Sequence, residues 1–296
     1  MTACLAETID PPFEILMPDK IRGPVLFNSP HSGRIYPRAF MDQVRLDFHA
    51  LRRSEDCFVD ELVLGVLDHG VPLMRALFPR VFLDLNREPY ELDPRMFEGR
   101  LPAFANTRSI RVTGGLGTIA RLVGESQDIY LRRLTVAEGL ARIETYYKPY
   151  HLALRRLIAQ ARRAHGLAIL VDCHSMPSGP SRDEGVRADV VLGDRYATSC
   201  SSVITQALET ELKARGYSVV RNRPYAGGYI TEHYGNPSAN LHAVQIEVNR
   251  ALYMHEPTYQ RSSNFGQVCA DFSALAVRLQ EVAVDALVPG QSAAAE

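Results

Sequence analysis

The sequence predicts an α/β protein, a three-layer α/β/α arrangement around a mainly parallel or mixed central sheet. Short all-apolar runs such as Leu167–Val171 and Val25–Phe27 read as strands buried on both faces, as strands of parallel sheets are. Such runs alternate along the chain with segments of helical period, the pattern of βα units. Two of the runs lead into a His-Ser pair, His31-Ser32 and His174-Ser175. Open α/β sheets place their ligands at strand carboxyl ends, so these two pairs mark a candidate site.

Taken in order, Val25–Phe27 is the first strand of the pattern. Asp47 to Asp68 then carries Phe48, Leu51, Phe58, Val59, Leu62, Val63 and Val66 at helical spacing and is expected to be a helix. Val71–Arg75 and Arg80–Leu85 read as short strands. Residues 89–118, rich in Pro, Gly and Asn without a sustained period, read as a long loop excursion of the kind that often carries function. Leu134–His165 is the strongest helix signal, with a break or kink expected near Pro149. Strand 167–173 follows, then a loop at 176–188 by composition. Asp189–Leu192, Ser218–Arg221 and Ala243–Val248 are further strands. Ser199–Arg215 is a helix stopped by Gly216, and Asn264–Val284 closes the pattern. No linker interrupts it, so the 296 residues are expected to form a single hydrolytic domain with a flexible tail at 289–296.

Composition narrows the function. A net charge of -1 gives no support to a nucleic-acid or anionic-membrane partner. The five cysteines are scattered, odd in number and without CxxC spacing, which points away from a disulfide framework or a Cys-zinc site. Residues 1–20 contain acids and three prolines and lack the apolar core of a signal peptide. No stretch approaches the ~18 apolar residues of a membrane span. A cytoplasmic enzyme or binding protein for a small molecule is the expectation.

The chemistry-bearing residues fall into four groups. His31 and His174 are candidate metal ligands, since neutral imidazole suits zinc and a catalytic zinc takes three protein ligands plus water; the plainer reading is two histidines hydrogen-bonded in turns. A third ligand is sought in Ser54–Glu61, where Asp56 stands first and Glu55 second, and where Asp60 shares a helix face with Asp56. Acids at a helix start are ordinarily solvated and favoured by the helix dipole. Asn86 and Arg87, after an apolar run, offer a planar fork and an amide suited to a carboxylate, or a surface arginine paired with Glu88 or Glu91. Arg80 can donate to a developing oxyanion. Glu247, an acid inside an apolar strand, is either a general base or the partner of Arg250. Gly115-Leu116-Gly117 imitates a dinucleotide fingerprint but follows no convincing strand. Cys173 and His174 point to opposite faces of a strand and do not make a thiol–imidazole pair. Tyr225–Tyr234, including Tyr229, reads as a glycine turn rimmed by aromatics, either a substrate lid or a loop.

Ser29–Gly33, Arg53–Asp56, Asp84–Pro94, Asp172–Ser178 and Glu247–Arg250, in that order from about residue 12 to 275, resemble the N-formylglutamate amidohydrolases, also called N-formylglutamate deformylases. That family is related to the zinc carboxypeptidases and aspartoacylases, and the resemblance implies their phosphorylase/hydrolase-like α/β/α fold. It further implies one zinc ion, with another divalent metal as the alternative, His31 and His174 as ligands and Glu247 as general base. Asn86 and Arg87, with Arg250, would bind the substrate, and Arg80 would face the oxyanion; Tyr229, in the aromatic-rimmed turn, is a further candidate for substrate binding. In the relatives a Glu three residues after the first His is the second ligand; here that position holds Arg34, which cannot coordinate zinc, so the third ligand passes to Asp56. The implied reaction is hydrolysis of N-formyl-L-glutamate to formate and L-glutamate, a step of histidine breakdown. The alternatives are an amidohydrolase for another N-acyl acidic amino acid and a non-catalytic binding protein for acidic amino acids.

Overall fold

The computed structural model describes residues 4–124, 127–179 and 188–287. Part of the expected loop at 176–188 and all of the expected tail at 289–296 lie outside the described residues.

Seven strands form one mixed sheet: β1 (Phe13–Leu16), β2 (Val25–Ser29), β3 (Leu73–Ala76), β4 (Ala168–Met176), β5 (Val190–Gly193), β6 (Val219–Arg221) and β7 (Leu241–Asn249), in the order β6-β5-β7-β4-β2-β3-β1. β4 runs parallel to both β2 and β7, β5 is antiparallel to β7, and β5 and β6 are parallel. All nine residues of β4 and all five of β2 are buried. Side chains such as Phe27, Ile169, Val171 and Ile246 are essentially inaccessible, each contributing on the order of 1.5–3 kcal/mol of hydrophobic stabilisation. No helix among the described residues is long and apolar enough to cross a membrane.

Contacts divide the chain into two compact units that interleave in sequence. The unit of residues 15–29, 58–74 and 155–296 holds most of the sheet. Its helices α2 (Ser202–Ala214) and α3 (Phe265–Leu287) pack together, and α3 also packs on the turn Leu64–His69. Gly216, at φ 91°, ends α2 in the left-handed conformation that glycine adopts without cost.

The unit of residues 1–14, 30–57 and 75–154 is irregular and aromatic. The expected helix across Leu134–His165 starts at Val136, with the reciprocal Thr135–Glu138 capping box closing its first turn. The expected break near Pro149 is a widened turn at Ile143–Tyr147, after which α1 (Lys148–His165) resumes. A wide turn there absorbs the missing proline N–H.

Two expectations are corrected. Asp47–Asp68 is not one helix. Short helical turns at Phe48–Leu51, Arg52–Ser54, Val59–Leu62 and Leu64–His69 are broken by extended Glu55 and by Phe58 at φ 66°. The backbone N–H of Asp56 donates to His31 O at 3.1 Å rather than to the preceding turn, so Asp56 and Asp60 do not share a helix face. Arg80–Leu85 is a turn, not a strand: Phe82 N and Leu83 N both donate to Pro79 O, and Asp84 N donates to Thr118 O. Its apolar residues are buried all the same, because Phe78, Phe82 and Tyr146 pack edge to face.

Candidate active site

In the sheet-bearing unit the candidate residues follow from two-residue periodicity. β4 and β7 pair in parallel with Asp172 opposite Gln245 and His174 opposite Glu247. Residues two apart on a strand share a face, so these four lie on one face in two adjacent rows. β2 extends the first row, Asn28 lying opposite Asp172. The Asn28 amide donates to Asp172 Oδ1 at 2.7 Å, and Asp172 Oδ2 takes the Nε2–H of His174 at 2.8 Å. That bond fixes the tautomer and leaves Nδ1 as the lone-pair nitrogen, the arrangement in which proteins present a histidine to a metal. The Gln245 amide donates to Glu247 Oε1 at 2.8 Å and accepts the N–H of Gly228 at 2.9 Å. Glu247 is thus held by a strand neighbour that is itself tied to the glycine turn before the helix Tyr229–Tyr234. Arg250, buried just past β7, donates through Nε to Ser175 Oγ at 3.0 Å. Cys173 lies on the opposite face, and burial, reinforced by the Asp172 charge, pushes its thiol well above the usual range; it is no nucleophile.

The irregular unit makes a similar histidine from different parts. His31 Nε2 bonds Asp84 Oδ1 at 2.7 Å, and its Nδ1 faces Asp56 Oδ2 at 3.4 Å. Burial works against the Asp84 charge, but Arg80 and Arg87, with His31, outweigh it and hold the carboxyl well below the usual range. Arg80 reaches Asp84 Oδ2 at 2.7 Å and Arg87 stands 3.6 Å from it. Burial also lowers the Arg87 guanidinium to about 10, still protonated at neutral pH. The turn carrying these groups is pinned by buried donors. Arg142 bonds Phe82 O and lies over the Phe82 ring, Tyr147 O–H donates to Arg87 O, and His151 Nε2 donates to Leu85 O.

Arg87 spends Nε on Leu116 O and Nη1 on Asn86 O, which leaves Nη2 and one further N–H for other partners. Leu116 belongs to the glycine pair that imitated a nucleotide fingerprint. There a Cβ on Gly117 would stand 2.2 Å from Glu91 O, so glycine serves close backbone approach within this unit. Glu55, the second choice for third ligand, takes the Tyr36 hydroxyl at 2.6 Å, Arg52 Nε at 3.0 Å and the Cys57 thiol at 3.2 Å. Asp60 sits on the short helix Val59–Leu62 of the other unit. Tyr229 stacks on His233 with ring centroids 4.9 Å apart. Asp84, Asp172 and Gln245 were not singled out from the sequence. Asp172 and Gln245 carried a direct signal, each a polar residue two positions before a candidate on an apolar strand; Asp84 carried none.

The family model described as N-formylglutamate amidohydrolase matches residues 23–254. The chain is 30% identical over 239 residues to the N-formylglutamate deformylase of Pseudomonas putida, covering 79% of this chain and 83% of that one. To the enzyme of the same name from Pseudomonas aeruginosa it is 28% identical over 255 residues, with 82% and 86% covered. The crystal structure of N-formylglutamate amidohydrolase from Ralstonia eutropha JMP134 superposes with a TM-score of 0.87 at 35% identity, covering 92% of this chain and 98% of that one. A protein of Agrobacterium tumefaciens, 18% identical with a TM-score of 0.66 and 93% and 95% covered, shares the fold. These likenesses define the class, an α/β enzyme that hydrolyses an amide. Within that class the chain belongs to the N-formylglutamate amidohydrolase family.

Proposed function

We propose that the protein is a metal-dependent deformylase that hydrolyses N-formyl-L-glutamate to formate and L-glutamate, serving histidine breakdown. One observation carries the mechanism: His174, its Nε2 held by Asp172, and the carboxylate Glu247 occupy the same register on neighbouring parallel strands. Family membership supports the substrate.

The ligand set we infer is His31, Asp56 and His174. The donor chemistry of the irregular unit supports it. With Nε2–H given to Asp84, His31 Nδ1 carries a lone pair and faces the Asp56 carboxylate at 3.4 Å. That is long for a charge-assisted hydrogen bond. It is close to the roughly 3.3 Å that separates two ligand atoms bound at about 2.0–2.1 Å to one tetrahedral zinc. Glu55, engaged by Tyr36, Arg52 and Cys57, is the weaker candidate. A second support is connectivity: β2 and β4 are parallel neighbours, and His31 follows the last residue of β2 by two positions. A zinc ion, or another divalent metal, held there supplies Lewis acidity toward the formyl oxygen and lowers the pKa of water.

The chain's own residues divide the remaining work. Glu247, oriented by Gln245, accepts a proton from the attacking water and returns it to the leaving amine. Arg80, which reaches Asp84 Oδ2 through one nitrogen, donates to the developing oxyanion. Asn86, Arg87, Arg250 and Tyr229 hold the two carboxylates. The formyl group is the smallest acyl group, so selectivity rests on these carboxylate contacts.

The test combines metal analysis with a substrate panel. Purified protein is expected to hold about one divalent ion per chain and to release formate from N-formyl-L-glutamate much faster than from N-formyl-L-aspartate. It should leave N-acetyl-L-glutamate nearly untouched. Equal rates across the panel would mean a general N-acyl amidohydrolase. Binding without turnover, with no effect of chelation, would mean a carrier of acidic amino acids.

A further inference from the structure

The irregular unit holds a cavity of about 280 Å³ lined by Arg45, Arg95, Arg121, Arg132 and Arg133, with one carboxylate, Asp128, among them. None of the proposed ligands, base or substrate-binding residues lines it. Five guanidinium groups around one small cavity are not a reflection of general basicity, because the chain as a whole carries a net charge of -1.

Internal ion pairs neutralise only part of this charge. Asp93 binds Arg95 at 2.8 Å and Arg121 at 3.0 Å, and Arg121 also binds Asp128 at 2.8 Å. Two carboxylates therefore serve two arginines. Arg45 gives its Nε to the carbonyl of Tyr130 at 2.9 Å, a neutral acceptor. Among the described residues no ion pair involves Arg45, Arg132 or Arg133. A surplus of positive charge is thus concentrated on one cavity, where like charges repel unless an anion offsets them.

The side of the cavity formed by Arg45, Arg95 and Arg121 is built before any ligand arrives. Arg45 N donates to Ile129 O and Leu131 N to Gln43 O, so the segment before Arg132 is zipped to the one carrying Arg45. Arg95 is fixed by bonds to Asp93 and to Thr113 O. Guanidinium groups held in place lose little freedom on binding, and their planar forks match the oxygens of carboxylates and phosphates.

The size and lining of the cavity select the ligand class. At about 280 Å³ it lies just below the range of pockets for drug-sized ligands. Tyr130 offers no stacking platform: it is 8% exposed, and its hydroxyl takes the Arg142 guanidinium at 2.7 Å. The cavity lining therefore presents no open aromatic face on which a nucleobase could stack. We propose that this cavity is a second, non-catalytic binding site for a compact oxyanion of two or more charges, of the pyrophosphate or tricarboxylate kind.

The test uses the full-length protein. Isothermal titration with pyrophosphate and with citrate is run beside sodium chloride at matched ionic strength, with glutarate as a weaker dianion. Saturable binding of at least one of the two multiply charged anions is expected, and which one binds assigns the site to phosphates or to carboxylates. The double variant Arg132→Glu/Arg133→Glu should weaken that binding by about tenfold or more. Its melting temperature without anion should stay close to that of the parent, since neither side chain is tied into the fold. Asp128→Asn, which removes the competing carboxylate, should tighten binding several-fold. The proposal fails if the effect of either anion merely follows ionic strength, or if the double variant binds with unchanged affinity. It also fails if citrate and pyrophosphate are displaced only by the deformylase substrate, which would place them in the hydrolytic site.

Discussion

Two buried histidines in this protein are presented in the same way by unlike surroundings. His174 lies on a regular strand, its Nε2 held by Asp172 two residues earlier on the same strand face, with a neutral amide from Asn28 behind the carboxylate. His31 lies in an irregular segment, its Nε2 held by Asp84, 53 residues away, with guanidinium groups from Arg80 and Arg87 behind the carboxylate. In each case a carboxylate takes the Nε2–H of the ring, so the lone pair sits on Nδ1. The first pair is assembled by the geometry of one strand; the second requires a folded turn and charges to hold it. The two should therefore matter equally for chemistry and unequally for stability.

The largest effect should come from removing the groups that both pairs serve. His31→Ala and His174→Ala are each expected to lose metal affinity by more than the roughly 10–100-fold that follows loss of an outer partner. Both should be nearly inactive. Glu247→Gln should keep the metal and lose about 10²–10⁴-fold in kcat, the range of a general base. Metal content by elemental analysis together with formate release separates these outcomes. A His31→Ala protein that retained its metal and activity would break the equivalence.

The carboxylates behind the histidines come next, and here the regions should part. Asp84→Asn and Asp172→Asn are both expected to weaken metal binding by about 10–100-fold. Their stabilities differ because of what each leaves behind. Asp84→Asn strands two guanidinium charges in a buried turn, a loss of roughly 3–5 kcal/mol. Asp172→Asn keeps an acceptor for neighbouring donors and forfeits one charged hydrogen bond, roughly 1.5–3 kcal/mol. Urea unfolding of the metal-free variants would measure both. Equal losses would mean that the arginines around Asp84 add nothing to the fold.

The same contrast explains what could be read in advance. β4 and β7 were legible because buried strands of a parallel sheet write themselves as apolar runs, and the alternation of Asp172 with His174 and of Gln245 with Glu247 follows from the pleat. The irregular unit was not. Val81, Phe82, Leu83 and Leu85 are apolar enough for a strand, yet the turn they form is set by Pro79 and by the carbonyl of Thr118 far along the chain. Asp47–Asp68 keeps a helical spacing of apolar residues, but Asp56 gives its N–H to His31 O, and no periodicity reports such a bond. Pattern reads burial well and backbone partners poorly.

A smaller effect should follow from Gln245→Met. The amide that holds Glu247 Oε1 and accepts the N–H of Gly228 would be lost while the bulk is kept. Loss of one hydrogen bond to a charged group, about 1.5–3 kcal/mol, corresponds to about tenfold to a hundredfold in kcat. KM should change little, because no substrate contact is assigned to this side chain. A change confined to KM would instead put Gln245 among the substrate-binding residues.

The smallest effect sharpens the comparison with a third buried histidine. His242, on β7, accepts the N–H of Ser201 at its Nδ1 and has no hydrogen-bond partner at Nε2 among the described residues. Among the described residues no carboxylate bonds it, and burial lowers its pKa below the ordinary 6.5. Because the folded protein resists charging this ring while the unfolded chain does not, stability is complete above pH 6.5 and declines as the pH falls from there to the folded value. The slope can reach at most about 1.4 kcal/mol per pH unit, that of a single proton. His242→Leu should flatten this part of the stability–pH curve without altering metal content or kcat at neutral pH. If the curve of the variant kept its slope, the proton would have to be taken up elsewhere. A carboxylate partner, then, is what distinguishes a histidine poised to coordinate from one that is merely buried.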